Sequence, residues 1–195
     1  MAYIMDNLIA EGRIEPTIVV TPNGSDFPNQ TYRWDRAAIT DYVANTLLPY
    51  MAENYNASSD PSRRALAGLS QGGATVGYLL FNSTDTFDYY CLFSAPFMGD
   101  AYPDYNKPEL KDKTIFMGYG DYDFVVTRSL YHMLPDADGK LQKLISNVNE
   151  GSTLEYFNGL TKAGVEYTSL NLPYGHQWTL WRQLLVHICD EVLWK

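Results

Sequence analysis

Histidine and cysteine are scarce in this chain of 195 residues, with three of the first and two of the second. So few cysteines exclude a disulfide-stapled scaffold. Cys91 and Cys189 make no metal-ligand spacing; both lie in apolar runs and read as small core residues. Basic residues are outnumbered, 14 Lys and Arg against 23 Asp and Glu, for a formal net charge of -9. A chain this acidic is repelled by phosphate backbones, which removes nucleic acid as a partner. No apolar run approaches the roughly 20 residues of a membrane span. The start, Met1 to Asp6, places no basic region before an apolar stretch, so neither a signal peptide nor a membrane partner is read from it.

What is present is an ordinary globular share of hydrophobic residues, 46%, and an unusual number of tyrosines, 16. The length suits one domain, residues 1–195, with a real core. Short β-rich runs alternate with helical stretches. Met5 to Gly12 reads as the end of a helix, and Thr17 to Thr21 as a β-branched strand closed by Pro22-Asn23-Gly24. Asp35 to Tyr55 has helical spacing, bent or ended at Pro49. Strands are read at 64–69, 89–94, 113–119 and 166–172, and helices at 71–81, 152–163 and 178–193. Five strands alternating with helices predict an α/β fold, a three-layer αβα sandwich on a mostly parallel sheet. The long connections 95–112 and 122–150 follow strands, where such sheets place their ligand sites.

The run Gly68-Leu69-Ser70-Gln71-Gly72 has the pattern G-x-S-x-G. By composition alone it arises in about one chain in twenty of this size. Its context is more specific, because it follows an expected strand and opens an expected helix. Such a turn strains the backbone at the serine and lifts its hydroxyl into the open. A side chain at 68 or 72 is expected to crowd the neighbouring strand or helix. The Gln71 N–H then lies at a helix N-terminus, where it can hold an oxyanion. The plainer reading is a glycine-rich turn with Ser70 as helix cap.

A serine hydroxyl needs a base. His187 lies inside the closing helix and reads as packed; His132 lies in a long connection and reads as surface. His176 follows the last strand, in a loop before the final helix, which is where an α/β-hydrolase carries its base. The acid that orients it is expected between serine and histidine, after a strand. Gly120-Asp121-Tyr122-Asp123-Phe124 offers Asp121 and Asp123.

With these motifs assembled, the chain resembles the esterase D-like group of α/β-hydrolases. It is most similar to carbohydrate esterase family 1, the feruloyl and acetylxylan esterases. The resemblance rests on Met5 to Gly12 and Pro16 to Gly24, on the elbow Arg64 to Gly73, and on Gly175-His176-Gln177-Trp178-Thr179-Leu180-Trp181. The family's acid stands three residues after a glycine and before a phenylalanine, which selects Asp123. The family's first strands, and a His-Gly loop with a second oxyanion donor, lie upstream of the helix at residue 5. The expectation is therefore an N-terminally truncated α/β-hydrolase with one identified donor, Gln71, and an exposed sheet edge through which two copies pair. One missing donor costs about 3 kcal/mol of transition-state stabilisation.

The resemblance implies a secreted serine carboxylesterase that removes feruloyl or acetyl esters from plant cell-wall polysaccharide, with Ser70 as nucleophile, His176 as base and Asp123 as acid. Its partner is an ester-substituted polysaccharide or phenolic ester, and no metal or cofactor is implied. Phe97 and Met98, with Tyr102 and Tyr105, are the candidate wall for an acyl or sugar group, while the tryptophans at 178 and 181 are expected to pack the last helix. Neighbouring readings are an S-formylglutathione hydrolase and a siderophore esterase. From another class comes a non-catalytic remnant that binds carbohydrate or a partner.

Overall fold

The computed structural model describes residues 1–22, 35–97, 103–125, 133–135, 141–143 and 153–195. Helix α1 spans Ala2–Ala10. Helices α2 (Arg36–Tyr42) and α3 (Leu48–Tyr55) are joined by a π turn, Val43–Leu47. The Asp35 carboxylate caps α2 by accepting from the Ala38 amide. Pro49 explains the π turn. Its ring crowds the carbonyl four residues back, and the wider turn ahead of it absorbs the conflict without ending the helix.

Four strands follow the expected runs: β1 (Ala65–Leu69), β2 (Tyr89–Phe93), β3 (Thr114–Gly120) and, after two short ones, β6 (Thr168–Leu172). They form an all-parallel sheet in the order β1-β2-β3-β6. Helix α4 (Gln71–Asn82) connects β1 to β2, α5 (Thr153–Ala163) precedes β6, and α6 (Trp178–Glu191) closes the described chain.

The period of two along each strand sends alternate side chains to opposite faces. Tyr90, Leu92, Ile115 and Met117 face one core, with Val76, Leu79 and Leu80 of α4 and Tyr156 and Leu160 of α5. Cys91, Phe93 and Phe116 face the other, with Met5 and Leu8 of α1 and Leu180, Leu184 and Ile188 of α6. β2 and β3 are covered on both faces and are apolar throughout, whereas the edge strand β6 alternates exposed Ser169 and Asn171 with half-buried Leu170 and Leu172. The three-layer α/β-hydrolase architecture is thus the observed one.

Two readings are corrected. Thr17 to Thr21 is not a strand: Ile18, Val19 and Val20 are 52%, 44% and 41% exposed, and the run pairs with none of the described strands. β-branched residues favour extended backbone, but a strand needs a neighbour to take its hydrogen bonds. The parallel sheet has four strands among the described residues, not five. The connection 122–150, read as irregular, contains an antiparallel pair, β4 (Met133–Pro135) and β5 (Leu141–Lys143). No helix among the described residues is long and apolar enough to cross a membrane.

Candidate active site

Ser70, Asp123 and His176 follow the carboxyl ends of β1, β3 and β6, the end where open parallel sheets hold ligands. Ser70 occupies a positive-φ conformation, φ 53 and ψ -122. For a residue with a Cβ this costs about 1–3 kcal/mol. The surroundings enforce it. The Ser70 amide donates to the Phe93 carbonyl of β2 at 2.9 Å, and α4 turns away at once. Two glycines permit that turn. A Cβ at Gly68 would lie 2.3 Å from the Gly72 oxygen, and one at Gly73 would lie 2.8 Å from the Ala95 Cβ. The expectation for Gly72 is corrected, since nothing lies within 4 Å of a Cβ there. The outward-facing first turn of α4 leaves position 72 open, so Gly73 carries the close approach.

Ser70 precedes the first residue of α4 yet makes no side-chain cap bond. Its hydroxyl instead lies 2.9 Å from His176 Nε2. His176 Nδ1 is 2.9 Å from Asp123 Oδ1. A carboxylate only accepts, so Nδ1 donates to Asp123 and Nε2 is the acceptor for the Ser70 hydroxyl. Asp123 is fully buried, and its Oδ1 also accepts from the Val125 amide at 3.0 Å. Asp121 does something else: its exposed carboxylate accepts from the Asn171 side chain at 2.7 Å. That contact helps clamp the two loops, along with the Asp121 amide on the Leu172 carbonyl (2.9 Å) and the Tyr122 amide on the Tyr174 carbonyl (3.1 Å). The clamp carries Asp123 to the imidazole.

Gln71 is the first residue of α4, so its N–H is one that the helix itself leaves without an acceptor. Its side chain accepts from Arg36 Nη2 at 3.4 Å. Arg36 is almost fully buried at the start of α2. The sequence singles out no such arginine, because nothing in its local pattern distinguishes it from any charge in a first helical turn.

Phe97 is half-buried and packs edge-on to Tyr156, ring centroids 5.0 Å apart; Tyr105 packs likewise on Phe81 at 5.0 Å. Met98, Tyr102 and His132 lie outside the described residues. His187 is half-buried against Phe116, as its place in the helix suggests. Trp181 packs α6 as expected, and its indole N–H donates to the Ser94 hydroxyl at 2.9 Å in the interior. Trp178 departs from the expectation: it is 63% exposed. At the first residue of α6 its side chain projects from the loop end of the helix.

The Esterase family model matches residues 2–191. The chain belongs to the Esterase family. An endo-1,4-beta-xylanase/feruloyl esterase from Xylanibacter ruminicola is 34% identical over 121 residues, 60% of this chain and only 16% of that relative's length. Among solved structures, a ferulic acid esterase superposes with a TM-score of 0.72 over 98% of this chain and 75% of its own, at 22% identity. A CE1 ferulic acid esterase from the anaerobic fungus Anaeromyces mucronatus does so with a TM-score of 0.62 over 95% and 68%, at 18% identity. An enterobactin esterase from Shigella flexneri shares the fold too, with a TM-score of 0.66 over 96% and 47%, at 16% identity. This member of the Esterase family therefore has the α/β-hydrolase fold, and the fold by itself does not choose the ester.

Proposed function

We propose that the chain is a secreted serine carboxylesterase that removes feruloyl, or acetyl, groups from plant cell-wall polysaccharide. The carrying observation is the hydrogen-bonded series Ser70–His176–Asp123, with 2.9 Å at each step, on a serine held at φ 53.

In this reading His176 Nε2 takes the proton as Ser70 Oγ attacks the ester carbonyl. Asp123 holds the imidazole by its Nδ1–H and stabilises the imidazolium. The Gln71 N–H receives the developing oxyanion, at a helix terminus whose dipole favours negative charge. His176 then hands its proton to the departing alcohol oxygen, leaving an acyl group on Ser70. Water, deprotonated by the same nitrogen, releases the acid and restores the serine. Phe97, after β2, is the wall for the acyl group. The name of the xylanase/feruloyl esterase relative supports the choice of a feruloyl ester on a polysaccharide.

Hydrolysis of methyl ferulate tests the reading. Ser70→Ala is expected to lower kcat by about a millionfold, and a fluorophosphonate probe is expected to label the unaltered chain at Ser70. Equal rates for the two proteins overturn the assignment. An unlabelled Ser70 favours a non-catalytic binding protein. The enterobactin esterase neighbour supports a second reading, a siderophore ester as substrate, which hydrolysis of a catecholate ester in preference to methyl ferulate would establish.

A further inference from the structure

The imidazole of His176 belongs to a row of four rings. Phe124 lies against it at 4.5 Å between centroids, Trp181 meets it at 4.8 Å and 90°, and Trp178 meets Trp181 at 5.3 Å and 88°. The middle of the row is covered, with Trp181 9% exposed and the His176 side chain 15% exposed. Of its other two rings, Phe124 is 46% exposed and Trp178 63%. Core packing accounts for Trp181, which is anchored by its bond to Ser94. It does not account for Trp178, which exposes most of a large apolar ring at the rigid start of α6.

We propose that Trp178, with Phe124, is the subsite for the sugar that carries the ester. The proposal rests on the esterase reading above and specifies its alcohol half. The proton that leaves Ser70 must reach the alcohol oxygen through His176 Nε2, so that oxygen comes within about 3 Å of the imidazole. The acyl half then lies toward Ser70, Gln71 and the loop after β2. The alcohol half leaves across the imidazole and its neighbours, where the open rings of this row lie. A sugar presents flat faces of C–H groups with hydroxyls at the rim. An exposed indole or phenyl face covers the apolar side and leaves the hydroxyls in water. The acidic chain suits this neutral ligand, which brings no charge to the site.

The test compares two esters with the same acyl group, feruloyl-arabinose and methyl ferulate. The ratio of their kcat/KM values is measured for the unaltered chain and for Trp178→Ala, Trp178→Gln and Trp178→Phe. The ratio is expected to fall roughly three- to tenfold in the Ala and Gln variants, through KM for the sugar ester, and to be restored in Trp178→Phe. The ratio of rates on one protein sample is insensitive to a partly misfolded fraction, and two variants of different volume guard against a packing effect of either. An unchanged ratio, with Ser70 still labelled by the fluorophosphonate, overturns the subsite and leaves the esterase standing. No turnover of either ester and no labelling of Ser70 overturn the esterase, and the subsite with it.

Discussion

Two aspartates with one residue between them illustrate what a single residue contributes. Asp121 and Asp123 are near-identical in chemistry and separated by one tyrosine, but one is exposed on Asn171 and the other is buried against His176 Nδ1. Substitution separates them. Asp123→Asn is expected to lower kcat on methyl ferulate by about ten-thousandfold, because an amide in that place stabilises the wrong imidazole tautomer. Asp121→Asn keeps an acceptor for Asn171 and is expected to leave kcat within a factor of a few. Parallel assays of the two variants check this, and a larger loss at 121 would reverse the assignment. The motif at Ser70 was legible in sequence because an elbow needs small residues at fixed offsets. The error at Gly72 has a physical origin. The pattern records which residues are glycine, but which of them faces the sheet depends on how α4 is rotated over β1, and that rotation puts 73 inward and 72 outward.

At the scale of elements, the parallel sheet and its helices could be read because β2 and β3 are apolar on both faces and the helices carry apolar stripes. The misread run at 17–21 has the right residues but no strand neighbour among the described residues. The loops and helix ends are held by polar contacts that no periodicity announces. One joins the turn after α1 to α6, where Arg13 Nε donates to Asp190 Oδ1 at 2.9 Å. The bond to Arg13 holds the Asp190 carboxyl below the usual carboxylate range. A lowered folded-state value means that the pair stabilises above the unfolded carboxylate value of about 3.9 and that this contribution disappears as the pH falls through the folded value. Asp190→Asn is therefore expected to lower the urea midpoint at pH 7, with the gap to the parent closing in acid as the folded carboxylate takes up its proton. Both side chains are partly exposed, so the gap is expected to narrow in high salt as well. A gap that persists unchanged in acid would remove the ion pair as its cause.

For the molecule as a whole, the core that α1 and α6 cover on one face of the sheet holds both cysteines, Cys91 of β2 and Cys189 of α6, and both thiols are buried. Burial pushes the Cys91 thiol up, and that of Cys189 up to about 11. Only the thiolate reacts with alkylating agents. Neither cysteine is expected to be labelled by iodoacetamide at pH 8 in the native protein over hours, whereas both label within minutes in denaturant. Mass spectrometry counts the labels, and a modified native protein would place a thiol at the surface. The sequence by itself determined the fold class, the turn that carries Ser70 and the end of the sheet at which Ser70 and His176 stand. Each follows from local patterns of size and polarity that secondary structure must obey. Only the tertiary structure decided that Asp121 is a clamp, that 17–21 pairs with none of the described strands, and that Trp178 stands exposed in a row of rings that includes His176. Those outcomes depend on which groups meet across 50 or more residues of chain (Asp121 with Asn171, His176 with Ser70), and contact over such separations is set by packing.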